Sequence, residues 1–242
     1  PLSVAAVVAL GEVGKLASEV RKEVAPRRGA ESERLPGHAT GTSFLRRPEE
    51  GGQLLPAIGD AGNDGGHEEA DIEPGRVAAI VFEPVQGEGG FNVIQREAVQ
   101  WLRALCDEHG ILLIFDEVQS GVGRTGRMWA CQHSGVKPDI MTSAKGLGSG
   151  MPIGAIIAKK QIMEHWKRGA HGNTFGGNPL SCAAAIATLD LVQSEYAANA
   201  ARVGEHFMGR LREMQRDYPC IGEIRGKGLM IGMELIENDA ER

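Results

Sequence analysis

ILLIFDEVQSGVGRTG, residues 111–126, decides how the chain folds. Its first five residues are apolar, a run too short for a helix and too continuous for a strand with one wet face. They predict a strand buried on both faces of a parallel sheet. The run stops at a charge: Asp116 and Glu117 stand where such a strand emerges at its carboxyl end, the edge at which open α/β sheets bind ligands. A second, shorter run at 138–143, PDIMTS, predicts a strand that delivers Lys145 to the same kind of edge. A carboxylate and an amine thus arrive at neighbouring strand ends.

Upstream of this stretch, VAAIVF at 77–82 is another buried-strand run, ending at Glu83-Pro84, and 86–90 is a glycine-rich turn. Residues 95–109 predict a helix with Ala98, Leu102 and Leu105 on one face and Gly110 as its stop. Strand, helix and strand make a right-handed crossover that delivers Asp116. Downstream, a further apolar run occupies 151–158. Asn178-Pro179 then opens a helix as cap and first-turn proline, carried on by 180–192. Residues 197–218 predict a second helix with Val203, Phe207, Leu211 and Met214 on one side. At the start of the chain, 2–24 predicts a helix weakened by Gly11 and Gly14. Residues 26–75, with Phe44 as their one aromatic and no sustained period, read as loop or disorder.

The 242 residues carry a net charge of -6 with acids and bases interspersed, which offers no field for nucleic acid or an acidic membrane surface. Residues 2–10 are apolar, but too short to span a membrane and not preceded by a basic residue. Cys106, Cys131, Cys182 and Cys220 show no Cys-x-x-Cys pair, and no His stands at metal-ligand spacing. This fits reduced thiols, no metal and a cytoplasmic location.

A lysine beside an acid has a known use. A pyridoxal phosphate enzyme needs an amine to hold the cofactor aldehyde as a Schiff base, and an acid to keep the pyridine nitrogen protonated so that the ring acts as an electron sink. The motifs Phe82-Glu83-Pro84-Val85-Gln86-Gly87-Glu88-Gly89-Gly90, Asp116-Glu117-Val118-Gln119-Ser120-Gly121, Ala144-Lys145-Gly146 and Asn173-Thr174-Phe175-Gly176-Gly177-Asn178-Pro179 occur in that order. In order and spacing they resemble the class III pyridoxal phosphate-dependent aminotransferases, of the 4-aminobutyrate and acetylornithine type. The resemblance runs from about Arg76 to the end of the chain.

The resemblance implies an α/β fold of fold type I: a three-layer α/β/α large domain with a mostly parallel sheet, at 76–195, and the start of a small α+β C-terminal domain at 196–242. It implies that Lys145 carries the cofactor and that Asp116 pairs with the pyridine nitrogen. Gln119 would bond the ring oxygen and Val118 would pack on the ring face. Thr174 resembles the residue that reaches the cofactor phosphate of a neighbouring subunit, which implies a homodimer with shared sites. Glu83 resembles the glutamate that pairs with an arginine binding the substrate's α-carboxylate, an arginine that by the same resemblance falls beyond Arg242. The implied reaction moves an amino group from an amino acid or ω-amino donor, 4-aminobutyrate-like, to a 2-oxo acid such as 2-oxoglutarate.

Burial at a strand end is expected to lower the pKa of Lys145. Glu117 is expected to be structural, and Arg124 and Arg225 to brace loops. Residues 1–75 depart from the family pattern: Gly29-Ala30-Glu31 and Gly37-His38 stand at the wrong spacing for its phosphate and ring-stacking motifs. They read as a frame-shifted or mis-assembled stretch, which leaves a catalytically incomplete fragment as one alternative. A racemase of the same fold is another, since it shares every motif quoted. A nicotinamide-dependent dehydrogenase is a third: Gly121-Val122-Gly123-Arg124-Thr125-Gly126 matches the dinucleotide fingerprint, but no helical pattern starts at its third glycine.

Overall fold

The computed structural model describes residues 77–169, 171–172 and 174–237, together with three strands nearer the start of the chain. In chain order the strands are β1 (Leu2–Ala5), β2 (Thr42–Arg46), β3 (Leu54–Ile58), β4 (Val77–Phe82), β5 (Leu112–Asp116), β6 (Ile140–Ser143), β7 (Ala155–Lys159), β8 (Ile221–Lys227) and β9 (Met230–Leu235). The helices are α1 (Arg96–His109), α2 (Cys131–Ser134), α3 (Lys160–Met163), α4 (Pro179–Leu191) and α5 (Ala197–Asp217). A 3₁₀ turn covers Lys145–Gly148, and a π turn, Val192–Tyr196, joins α4 to α5.

A seven-stranded sheet has the order β1-β7-β6-β5-β4-β2-β3, and β8 and β9 form a separate hairpin. The sheet is mixed. Its centre, β4-β5-β6, is parallel, and the flanking pairs are antiparallel. Alternation along the central strands divides the core between two faces. Ile80, Phe82, Leu113 and Phe115 pack with Val99, Leu102, Leu105 and Cys106 of α1, and the Phe82 and Phe115 rings lie 4.6 Å apart. Ala79, Ile114, Ile140 and Ile156 pack on the other face with Ile162 of α3. A sheet covered on both faces is what the continuous apolar runs require.

The central strands and α1 stand where the sequence placed them, with Gly110 in the left-handed conformation as the α1 C-cap. The first part of the chain differs. Leu2–Ala5 is a strand paired antiparallel with β7 and not the start of a helix; residues 6–24 lie outside the described residues. Within the stretch read as irregular, β2 and β3 extend the sheet from β4, while the rest of 26–75 lies outside the described residues. The open edge of β4 supplies their pairing, a tertiary partner with no local periodicity to announce it. Pro56 sits in β3, the last strand of the order, the edge position where a missing N–H is tolerated.

Helix α4 opens as expected: Asn178 Oδ1 accepts from the Ser181 N–H at 2.9 Å, with Pro179 at the first position. The buried face of α5 is turned from the expected one. Ala200, Gly204, Met208 and Leu211 face inward, whereas Phe207 and Met214 are 49% and 42% exposed. Gly204 approaches the Gly228 carbonyl so closely that any Cβ there would overlap it, and this contact brings the small residues inside.

Two buried groups tie the loops to the sheet. Glu117, fully buried, accepts from the Ala130 and Cys131 N–H groups, each at 2.7 Å, and from Ser120 Oγ at 3.2 Å. Burial raises its carboxyl pKa against the opposing pull of those N–H bonds. Burial, with the Glu117 charge beside it, also pushes the Cys131 thiol up to about 12, so that sulfur is no nucleophile at neutral pH. Asp139 anchors the opposite edge of β6, accepting from the Leu113 N–H and Arg103 at 2.8 Å each and from Lys159 at 2.5 Å. His133 Nε2 lies 3.2 Å from the Thr125 carbonyl oxygen and 3.1 Å from Thr125 Oγ1. Burial, then the Lys227 and Arg127 charges, lower its pKa to about 4.

Glu117→Gln replaces one accepting oxygen by an NH₂ that faces a backbone donor. It should cost about 1–3 kcal/mol of stability by urea denaturation. For His133, the unfolded chain takes up a proton near pH 6.5 that the folded chain refuses until about 4. Its contribution is therefore complete above about pH 6.5 and is lost as pH falls through that window. The drop in urea midpoint between pH 7 and pH 5 should be smaller in His133→Gln than in the wild type.

Candidate active site

Parallel register builds the site. Phe82 pairs with Phe115, so Glu83 and Asp116 follow one another along one edge; Asp116 pairs with Thr142, three residues before Lys145. The charges sense one another: the Glu83 carboxyl is raised above its ordinary range chiefly by burial, against the Gly87 N–H bond, with Asp116 pushing the same way and Lys145 opposing. These three residues, singled out separately in the sequence, lie together.

Asp116 is half-buried and held at one oxygen. Its Oδ1 accepts from the Val118 N–H at 2.9 Å and from Thr142 Oγ1 at 3.1 Å. Its Oδ2 has no hydrogen-bond partner among the described residues. A carboxylate oriented through one oxygen with the other free suits a cationic N–H ligand. Thr142 is the orienting residue that sequence reading left without a role, because the pairing of two strand ends cannot be read from linear spacing.

Lys145 differs from expectation. It is exposed and not buried, at the head of the 3₁₀ turn, where Leu147 and Gly148 take the buried positions. The lysine therefore leaves the sheet at its open edge, and its amine makes no hydrogen bond or ion pair among the described residues. Its φ is 45°, in the left-handed region that ordinary residues rarely adopt. Val122 and Ser149 share that conformation, at 52° and 47°. The turn is fastened from α4 by the hydrogen bond between the Thr188 and Ser149 hydroxyls, 2.9 Å apart.

The loop after β4 is closed on itself. Glu83 Oε2 accepts from the Gly87 N–H at 2.9 Å, Gln86 Oε1 accepts from Asn92 Nδ2 at 2.8 Å, and the Gly90 carbonyl accepts from Arg225 Nε at 2.7 Å. Arg225 thus braces a loop, as expected. The Gln119 carboxamide lies against Gly87, and Val118 follows the Asp116 strand end. Thr174 is exposed, and no hydrogen bond or ion pair joins it to Asp116, Gln119 or Lys145 within the chain. Glycines 121, 123 and 126 lie in a run of turns with no helix starting among them, which removes the context of a dinucleotide site.

The class-III aminotransferase family model matches residues 67–242. Over 167 residues the chain is 48% identical to acetylornithine aminotransferase of Methanocaldococcus jannaschii, covering 69% of this chain and 42% of that protein. Over 168 residues it is 46% identical to 5-aminovalerate aminotransferase of Pseudomonas putida, covering 69% and 40%. Among solved structures, acetylornithine aminotransferase from Elizabethkingia anophelis superposes with a TM-score of 0.65 at 41% identity, over 68% of this chain and 44% of that one. Ornithine aminotransferase from Toxoplasma gondii gives 0.74 at 35% identity, over 96% and 60%. The chain spans about 40% of the length of these curated relatives. The class is pyridoxal phosphate-dependent, and an amine transaminase among the structural neighbours was solved with that cofactor bound. With a seven-stranded α/β sheet whose central strand ends carry the matched motifs, the chain belongs to the class III aminotransferases, of fold type I.

Proposed function

We propose that the edge formed by β4, β5 and β6 holds pyridoxal phosphate and serves transfer of an amino group from an amino acid or ω-amino donor, 4-aminobutyrate-like, to a 2-oxo acid such as 2-oxoglutarate. One observation carries this reading: Asp116 and Lys145 stand at adjacent strand ends, one with a free oxygen and the other with a free amine. The residues fit the group, since a free carboxylate oxygen and a free amine are what its pyridine nitrogen and aldehyde each require.

Pyridoxal phosphate, when bound, supplies the electron sink for the pair left as the substrate carbon loses its proton. Asp116 Oδ2 would hold the proton on the pyridine nitrogen, its position set by Val118 and Thr142. Lys145 Nζ would hold the aldehyde carbon at rest and, once displaced by the donor amine, move the proton from the substrate carbon. Gln119 would donate its amide to the ring oxygen, and Val118 would pack on the ring face. Glu83, held at the mouth of the same edge, would face the substrate side.

Thr174 is exposed and makes no hydrogen bond or ion pair among the described residues, which supports its reaching the phosphate in a second copy. Phe175, Leu180 and Ile186 are 79%, 68% and 63% exposed, an apolar surface suited to a homodimer contact. The separate β8-β9 hairpin supports a boundary between a large domain at 76–195 and a small one from 196. Four free cysteines fit the cytoplasmic location in the same reading; no helix among the described residues is long and apolar enough to cross a membrane.

Borohydride reduction of the protein mixed with pyridoxal phosphate, followed by peptide mapping, should place the label at Lys145 and lose it in Lys145→Ala. Label scattered over surface lysines, or none, would overturn the cofactor reading. An amino-donor screen with 2-oxoglutarate should then favour an ω-amino donor.

A further inference from the structure

Gly87 lies between two of the proposed site residues, and the reason it is a glycine can be read from its surroundings. Its φ is not in the left-handed region, so the backbone would accept any residue. The space would not. A Cβ at Gly87 would overlap Gln119 Nε2 outright, stand 2.6 Å from Gln119 Cδ, closer than two carbons can approach, and crowd Gln119 Oε1 at 3.0 Å. These are the first contacts such an atom would meet, and all lie on one flexible side chain, so the Gln119 amide would move and the backbone would not. Neither end of that amide has a hydrogen-bond partner among the described residues. Its donor and acceptor are therefore available to a ligand. Gly87 itself donates its N–H to Glu83 Oε2 at 2.9 Å.

We propose that Gly87 is a positioning residue. The space left by its missing side chain seats the Gln119 carboxamide, while its N–H fixes Glu83, so one residue sets the relation between the cofactor-facing amide and the substrate-facing carboxylate. The inference rests on the cofactor reading above, in which Gln119 bonds the ring oxygen. Gly87→Ala leaves the N–H bond to Glu83 in place and removes the seat. Its effect on the cofactor should therefore be that of losing the Gln119 amide.

The test uses Gly87→Ala, Gln119→Ala and the double variant. The seat is read without cofactor, from the Gln119 side-chain amide NMR signal, assigned by its disappearance in Gln119→Ala. It should shift in Gly87→Ala while the Gly87-to-Glu83 backbone signals stay near their wild-type positions. Pyridoxal phosphate affinity, read by quenching of tryptophan fluorescence, should fall about tenfold in each single variant and no further in the double. An unmoved amide signal in Gly87→Ala would overturn the seat. Losses that multiply in the double variant, or wild-type affinity in Gly87→Ala, would overturn its role toward the cofactor. Should Gly87→Ala fail to fold, the double variant, which has no amide to displace, must fold; failure of both would overturn the steric account. A wild-type chain that does not bind pyridoxal phosphate sinks the cofactor reading, and with it the role proposed for the seat, while the NMR arm still decides whether the seat exists.

Discussion

The parallel register of β4, β5 and β6 is the constraint on which the rest depends. It is fixed by alternation: Ile80, Phe82, Leu113 and Phe115 must face α1 while Ala79, Ile114 and Ile140 face the other layer. A slip of one residue would exchange the two sets and drive the large Phe82 and Phe115 rings, which pack at 4.6 Å, into the layer built for Ala79 and the isoleucines. The same register sets Asp116 opposite Thr142 and one strand from Glu83. The core thus selects the geometry of the edge, and the polar residues at the strand ends inherit it.

The edge itself is built from turns that would not hold their shape alone. Val122, Lys145 and Ser149 adopt left-handed backbone angles that cost free energy for residues with a Cβ, and each lies in a segment packed by its neighbours. Buried Leu147 and the Thr188-to-Ser149 hydrogen bond hold the lysine turn. Glu117 holds the opposite side by taking the Ala130 and Cys131 N–H groups below the sheet edge. Adjacent in sequence, Asp116 and Glu117 divide the work: both oxygens of Glu117 accept from the fold, while Asp116 Oδ2 has no hydrogen-bond partner among the described residues.

Much of this was legible from residues alone. Strands β4 and β5 and helix α1 follow from apolar runs and a terminal glycine, and the Asn178-Pro179 helix start from cap chemistry. Asp116 and Lys145 could be placed at strand ends because both follow buried runs. What the sequence withheld depends on partners distant in the chain. Strands β2 and β3 form because β4 has an open edge, and the inward face of α5 is set by the approach of Gly204 to Gly228. Thr142 gains its role only from strand pairing, and Gly87 only from the side chain that lies on it. The exposure of Lys145 likewise reflects how the turn leaves the sheet, which no local pattern records.

The central claim is that Asp116 uses its free oxygen to hold a proton on a bound pyridine nitrogen. The direct measurement is the ¹⁵N chemical shift of ring-labelled pyridoxal phosphate bound to the wild type and to Asp116→Ala. A protonated-nitrogen signal in the wild type that moves to the neutral position in Asp116→Ala is the expected result. A neutral nitrogen in the wild type, or a protonated one that survives loss of the carboxylate, would contradict it.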